Sequence, residues 1–436
     1  MSPLARNGAR PGHDHGADTR SGTDAGARPP RARERLLVRG GTLVLPDRLA
    51  PDTVLLVADG VIAGIAPESE LTGDQLDART VDARGAYVLP GLVDIHTHGA
   101  GGHLFNEADD AAWGTVLATQ LGRGVTSVLP TTLTASIPEL TAALAQGRKW
   151  LGAQAGGAAR GGEAPAHAQV LGMHVEGPYF ALAQSGAQDP AHIRNPDDGT
   201  VDELLAYADA IRLMSFAPEL PGALELASRL RALGIVPAAG HSSARDEHLA
   251  AAMERGLTHV IHLFSAQSTT VREGPWRKPG LLEASLAFDG LTVEVIADHR
   301  HLPTTLLRLA YKAIGPERLC IVSDATHGAG MPEGTELKLG SLDIVVSGGV
   351  AMLKDLTAFA GSTTLLDRML QVMHFEVDLP LVEVVRMASL NPARAVGAAE
   401  HKGSLEVGKD ADFALFSPGL EPLAVYVGGE RAAPKV

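Results

Sequence analysis

The stretch "YVLPGLVDIHTHGAGG", Tyr87–Gly102, decides the fold. It is an apolar run without helical spacing, the pattern of a buried strand, and it ends in two histidines one residue apart, followed by four small residues, Gly99 to Gly102. Because side chains alternate along a strand, His96 and His98 leave it on the same face. The next stretch, "DAAWGTVLATQLGRG", is amphipathic with helical spacing and stops at a glycine.

The same strand-then-helix texture recurs downstream. Further apolar runs are "VTSVLPT" from Val125, "AQVLGMHVEG" from Ala168, "IRLMSFAP" from Ile211, "GIVPAAGH" from Gly234, "LTHVIHLF" from Leu257, "LTVEVIAD" from Leu291 and "LCIVSDA" from Leu319. Helical patterns such as "GALELASRLRALG", "RDEHLAAAMERG" and "TTLLRLAYKAIG" lie between them. Eight such runs predict an α/β fold of the (β/α)8 TIM type, with a parallel barrel over residues 88–399. Beyond the eighth run, "KLGSLDIVVSGGVAMLKD" reads as a hairpin insertion, and two helical patterns, Ser362–Met373 and Leu381–Ser389, close the barrel.

Outside the barrel the texture is different. Residues 35–87 and 400–432 carry short apolar bursts broken by Gly, Asp and Pro, which predicts a small β-sandwich domain built from both chain ends. Residues 1–34 hold almost no large apolar side chain and read as a disordered tail without a secretory signal; His13 and His15 there have no third ligand to close a metal site. Gly152–His167 reads as a low-complexity linker.

Composition narrows the class of function. The formal charge of −14 argues against nucleic acid as a partner, because phosphate contacts need a basic face. No apolar run is long enough to span a membrane. Cys320 is the single cysteine, so no internal disulfide can form, which fits a cytoplasmic protein. The expected partner is a small molecule.

In a barrel of this type the active site lies where the strands end. The first run ends in His96 and His98, the third in Glu176, the fifth in His241, the sixth in His262 and the eighth in Asp324. One strand-end histidine is more often a packing residue than a ligand, but five strand ends together supply the imidazole and carboxylate donors of a hydrolytic divalent-metal centre. These donors accept Zn, Fe, Mn or Co alike, as one or two ions. Asp324 can act as ligand, general base or turn cap; next to a metal, the base is the preferred reading.

The motifs "GLVDIHTHG", "GMHVEGPYF", "AAGHSSA", "HLFSAQ", "RKPGLLEASL", "IADHRH", "IVSDAT" and "GSLEVGKDADFALF", in this order, resemble the amidohydrolase superfamily, and within it the N-acetylglucosamine-6-phosphate deacetylases. The likeness runs from about Leu36 to Val427. It implies that Glu176, His241 and His262 hold one metal, that His96 and His98 help hold a second, and that Asp324 is the catalytic proton carrier. It further implies that His301 binds the sugar, that the backbone at Ser265 and Ala266 and the Arg277 guanidinium hold the phosphate, and that Arg277 comes from a neighbouring subunit of a homodimer. The implied substrate is an N-acetylated amino sugar phosphate.

The sequence departs from this pattern at several places. Ser265-Ala266 stands for an Asn-Ala pair, Gln188 for a histidine that polarises the carbonyl, and His299-Arg300 for a glycine and an apolar residue; His327 is also unusual. These changes leave open another acylated amine, N-acetylgalactosamine 6-phosphate or an unphosphorylated sugar among them. A barrel that binds a sugar phosphate without turning it over is the reading from a different class.

Overall fold

The structure is a computed structural model, which describes residues 35–73, 78–155 and 164–432. The tail with His13 and His15, and residues 156–163 of the Gly/Ala stretch, lie outside them.

Eight parallel strands form the barrel: β1 (Leu92–Thr97), β2 (Val125–Thr132), β3 (Met173–Glu176), β4 (Ile211–Phe216), β5 (Val236–Ala239), β6 (His259–Val260), β7 (Thr292–Ile296) and β8 (Leu319–Val322). Each pairs in parallel with the next, from Val128 opposite Asp94 to Val293 opposite Leu319. The ring closes between β8 and β1, where the Asp324 amide donates to the His96 carbonyl at 2.8 Å and the His98 amide to the Ala325 carbonyl at 2.7 Å. Helices connect the strands and bury their apolar faces against them in one large core. Asp110–Gly122 follows β1, and its N-terminus is capped by the Asp109 carboxylate, which accepts from the amides of Ala111 and Ala112.

The run from Tyr87 does not form one strand. Tyr87–Pro90 pairs with Thr42–Val44 and with Phe413–Phe416 in a six-stranded sheet, and only Leu92 onward enters the barrel. Pro90 has no amide to donate, and the Gly91 amide turns to the Asp412 carbonyl at 2.9 Å. Any side chain at Gly91 would collide with Thr126, since a Cβ would stand 2.0 Å from its Oγ1. The six-stranded sheet thus joins residues from both chain ends. It faces a four-stranded sheet of Leu36–Arg39, Thr53–Ala58, Val61–Pro67 and Arg79–Asp82 across a core that includes Leu36, Val38, Leu55, Val88, Phe413 and Tyr426.

The expected hairpin after β8 has three strands instead of two, Glu336–Leu339, Leu342–Ser347 and Val350–Leu353. The two closing helical patterns form Leu366–Gln371, continued by a wide turn over Val372–Glu376, and Leu381–Ala388. Among the described residues no helix is long and apolar enough to cross a membrane.

One buried charge links the barrel to the sheets. Lys402, 7% exposed, donates from Nζ to Asp412 at 2.5 Å and to Asp410 at 2.7 Å, and also reaches Gln169 just before β3. Burial lowers its pKa, but the two carboxylates outweigh burial and the pKa is raised. Truncating Lys402 to alanine would leave two carboxylates facing each other. Loss of a buried partner of this kind costs about 3 to 5 kcal/mol. Urea unfolding of Lys402→Ala should show a deficit of that size, and an unchanged midpoint would remove the residue from this role.

Candidate metal centre

The C-terminal ends of five strands bring the six expected side chains into one buried cluster. His96 is 0% exposed, Glu176 1%, His98 2%, His262 3%, His241 6% and Asp324 8%. Three of them sit where the chain must turn sharply out of its strand. His241, His262 and Asp324 have φ of 43°, 23° and 46°, a region that costs a non-glycine residue about 1 to 3 kcal/mol and is typical of functional sites. Close approach also constrains the turn after β1. A Cβ on Gly99 would lie 2.1 Å from the His103 carbonyl, so only glycine fits there.

Glu176 is the hub. Its Oε1 lies 3.0 Å from His262 Nε2, 3.2 Å from His241 Nε2 and 3.5 Å from His96 Nε2, and its Oε2 lies 3.5 Å from His98 Nε2. Asp324 Oδ1 is 3.1 Å from His98 Nε2 and 3.5 Å from His96 Nε2. Two triads therefore share one carboxylate, His96, His98 and Glu176 on one side and Glu176, His241 and His262 on the other.

For three of the four rings the far side decides what these contacts mean; His262 Nδ1 is buried without a hydrogen-bond partner. His96 Nδ1 donates to Glu294 at 2.8 Å, His98 Nδ1 to the Thr131 carbonyl at 3.3 Å and His241 Nδ1 to the Gln184 carbonyl at 2.9 Å. With the proton held there, a neutral ring turns a bare Nε2 lone pair toward a carboxylate. Acceptor then faces acceptor, and the arrangement is favourable only with a cation between them; His96 Nε2 is buried without a hydrogen-bond partner. Imidazole and carboxylate are the donors that Zn and similar divalent ions take. The residues fit a metal ion.

Charge distribution agrees. Burial opposes the charge on Glu176, but His241, His262 and His96 hold its carboxyl well below the usual range. Burial likewise opposes the charge on Glu294, which His96 and His259 hold low. Burial lowers the His96 pKa, while Glu294, Glu176 and Asp324 raise it well above its ordinary value, so without a divalent ion the site favours a proton on His96. Glu176 and Glu294, depressed below 4.5, add stability that is present above that pH and lost on acidification. His96, raised above 6.5, adds stability that is complete below 6.5 and lost as the pH climbs through its folded value. Chelator-treated protein should therefore lose thermal stability as the pH rises above 6.5, whereas metal-loaded protein, which needs a neutral His96, should not. Parallel melting curves with and without chelator would contradict a cation site.

The remaining expected residues fall in different settings. Gln188, 4% exposed, donates from Nε2 to Glu176 and accepts from the Thr134 amide at 2.7 Å, so its amide is engaged in holding the hub. His301 donates from Nδ1 to Asp298 at 2.7 Å and packs on Phe359. Ser265 and Ala266 follow His262 in a segment where φ is positive at His262, Phe264 and Ala266, and the Ser265 amide donates to the His262 carbonyl at 3.0 Å. Arg277 lies apart from the cluster on the exposed hairpin Val271–Glu273 and Trp276–Lys278, where it donates to the Pro275 carbonyl. His299 pairs with Glu376 at 2.5 Å, and His327 donates from Nε2 to the Lys338 carbonyl at 2.9 Å.

Sequence reasoning missed a layer beneath the cluster. Glu294, His259, His174 and Asp94 are all buried inside strands. His174 packs edge-on against His96, 4.5 Å between ring centres, and shares a hydrogen bond with Ser215 at 3.1 Å. Burial pushes Asp94 up to about 6, against bonds from Ser323 and the His96 amide. The available signal was a polar side chain in the phase of His96 within an otherwise apolar strand.

The sequence model of the amidohydrolase family matches residues 87–432. The chain belongs to this family. As an amidohydrolase it is a hydrolase, and the donors for the metal on which the family depends are in place. Its relatives include an N-acetylglucosamine-6-phosphate deacetylase of Bacillus subtilis, 29% identical over 92% of this chain and 97% of the relative. An N-acetylgalactosamine-6-phosphate deacetylase of Escherichia coli is 30% identical over 91% of this chain and 99% of the relative. A solved variant of the N-acetyl-D-glucosamine-6-phosphate deacetylase of Mycobacterium smegmatis, in complex with N-acetyl-D-glucosamine-6-phosphate, is 30% identical with a TM-score of 0.81, covering 91% of this chain and 99% of that one.

Proposed function

We propose that this amidohydrolase removes the acetyl group of N-acetylglucosamine 6-phosphate, giving glucosamine 6-phosphate and acetate. The observation that carries the reading is the pair of histidine triads sharing Glu176, with the Nε2 lone pairs of His96, His98 and His241 turned inward, in a chain whose relatives of similar length are named as deacetylases of N-acetylated amino sugar phosphates. Glu176, His241 and His262 hold one divalent ion, and His96 and His98, with Glu176 between the two triads, hold the second. When bound, the metal acidifies water toward neutral pH and polarises the amide carbonyl.

Asp324 takes the proton from the attacking water and returns it to the sugar nitrogen as the C–N bond breaks. That return is needed because an amine leaves poorly as an anion. Gln188 keeps Glu176 oriented between the two triads. His301, fixed by Asp298, binds a sugar hydroxyl, and the backbone at Ser265 and Ala266 receives the phosphate. Arg277, exposed on its hairpin, reaches the phosphate from a second subunit of a homodimer, and a guanidinium grips such a group with two parallel bonds. The reading places the enzyme in the cytoplasm.

Acetate release from N-acetylglucosamine 6-phosphate, its galactosamine epimer and the unphosphorylated sugar tests this assignment. The glucosamine phosphate should be the best of the three substrates. Arg277→Ala should raise KM for it about 10- to 100-fold, the equivalent of one charged hydrogen-bond set, with little change in kcat. Preference for the epimer would move the assignment to the galactosamine phosphate. Equal rates without phosphate would remove Arg277 and the Ser265-Ala266 backbone from the reading.

A further inference from the structure

Glu294 takes no part in the chemistry just assigned, yet it is fully buried in β7 among groups that do. Its Oε2 accepts from His96 Nδ1 at 2.8 Å and from the His262 amide at 3.3 Å, and its Oε1 accepts from His259 Nε2 at 2.9 Å. His259 is held in turn by Thr292 Oγ1, 2.6 Å from its Nδ1. No solvent reaches this group, so its orientation is set by these partners alone.

The other rings are anchored differently. His98 and His241 give their Nδ1 protons to main-chain carbonyls, which no side-chain change removes. Only His96 among these three depends on a side chain. A carboxylate at Nδ1 also makes the opposite nitrogen a stronger donor than a carbonyl does, because the negative charge raises the basicity of the ring. His262 needs Glu294 less, since the Leu263 amide is bonded to the Glu294 main-chain carbonyl at 2.8 Å and that bond survives any substitution.

We propose that Glu294 is a positioning residue that fixes His96 as an Nε2 donor and thereby sets the affinity of one ion, the one held by His96 and His98, separately from the other. The proposal rests on the two-ion reading given above. It makes occupancy of the two positions separable by one change that touches neither the substrate nor the reacting atoms.

The test uses full-length protein loaded with Zn, read by elemental analysis and by competition with a chromophoric chelator. Wild type should hold two ions. Glu294→Gln keeps the shape and one acceptor oxygen but loses the charge, and it should weaken one ion about 10- to 100-fold while leaving the other at wild-type affinity. Glu294→Leu should retain one ion only; if that variant fails to fold, the glutamine variant carries the test. Wild-type affinity at both positions in Glu294→Gln, or equal weakening of both ions in a protein with an unchanged melting curve, would overturn the proposal. A wild type holding fewer than two ions would instead overturn the two-ion reading beneath it.

Discussion

Asp324→Asn is expected to lower kcat by about 10³-fold, within the range of about 10² to 10⁴ that a positioned proton carrier contributes, while KM and metal content change little. Three features make the substitution a clean one. The backbone is held from both sides, the Asp324 amide by the His96 carbonyl and the Asp324 carbonyl by the Ser362 amide, both at 2.8 Å. Its φ of 46° lies in the left-handed region that asparagine enters more readily than most residues, so the turn survives. At 8%, Asp324 is also the most exposed of the six cluster residues, as the proton carrier proposed above needs to be. Asparagine keeps the size and loses only the site for the proton. Single-turnover acetate release beside elemental analysis checks the prediction. A variant with full metal and a rate within a few-fold of wild type would move the proton to another group. A wild type with no turnover at all would favour the sugar-phosphate-binding barrel.

Much of this site was readable in the sequence because it obeys one local rule. His96, His98, Glu176, His241, His262 and Asp324 each stand at the end of an apolar run, and a parallel barrel gathers all such ends at one mouth. The barrel itself was readable for the same reason, since strand and helix alternate with glycine stops whose φ is positive, as at Gly124 and Gly315. What escaped depends on partners far apart in the chain. Glu294 meets His96 across 198 residues, and neither "TVEVI" nor "VDIHT" announces the other. Resemblance assigned Gln188 the place of a group that polarises the carbonyl, but the pairing with Glu176 and Thr134 engages its amide with the protein. The split at Gly91 was also hidden, because a strand that leaves one sheet for another keeps the same apolar pattern. Only the collision with Thr126 and the missing amide of Pro90 mark the change.

Glu176→Gln should have the widest effect of any single change, removing both ions together. The carboxylate is common to both triads, and every imidazole Nε2 of the cluster lies within 3.5 Å of one of its oxygens. A neutral amide retains one oxygen donor but withdraws the negative charge that would balance the two proposed cations in a cluster nowhere more than 8% exposed to water. Buried cations without a compensating charge are costly, so affinity should fall by more than the about 10- to 100-fold that follows loss of an outer partner such as Glu294. The rate should drop toward the uncatalysed one, a loss on the order of 10⁶-fold or more. The comparison that gives this force is His98→Asn, which removes a donor from one triad alone and should leave the ion of Glu176, His241 and His262 in place. If Glu176→Gln kept one ion at wild-type affinity, Glu176 would belong to a single triad, and the symmetry of the centre around it would be an accident of packing. If it lost both while His98→Asn lost one, the shared carboxylate would be what makes two positions into one centre.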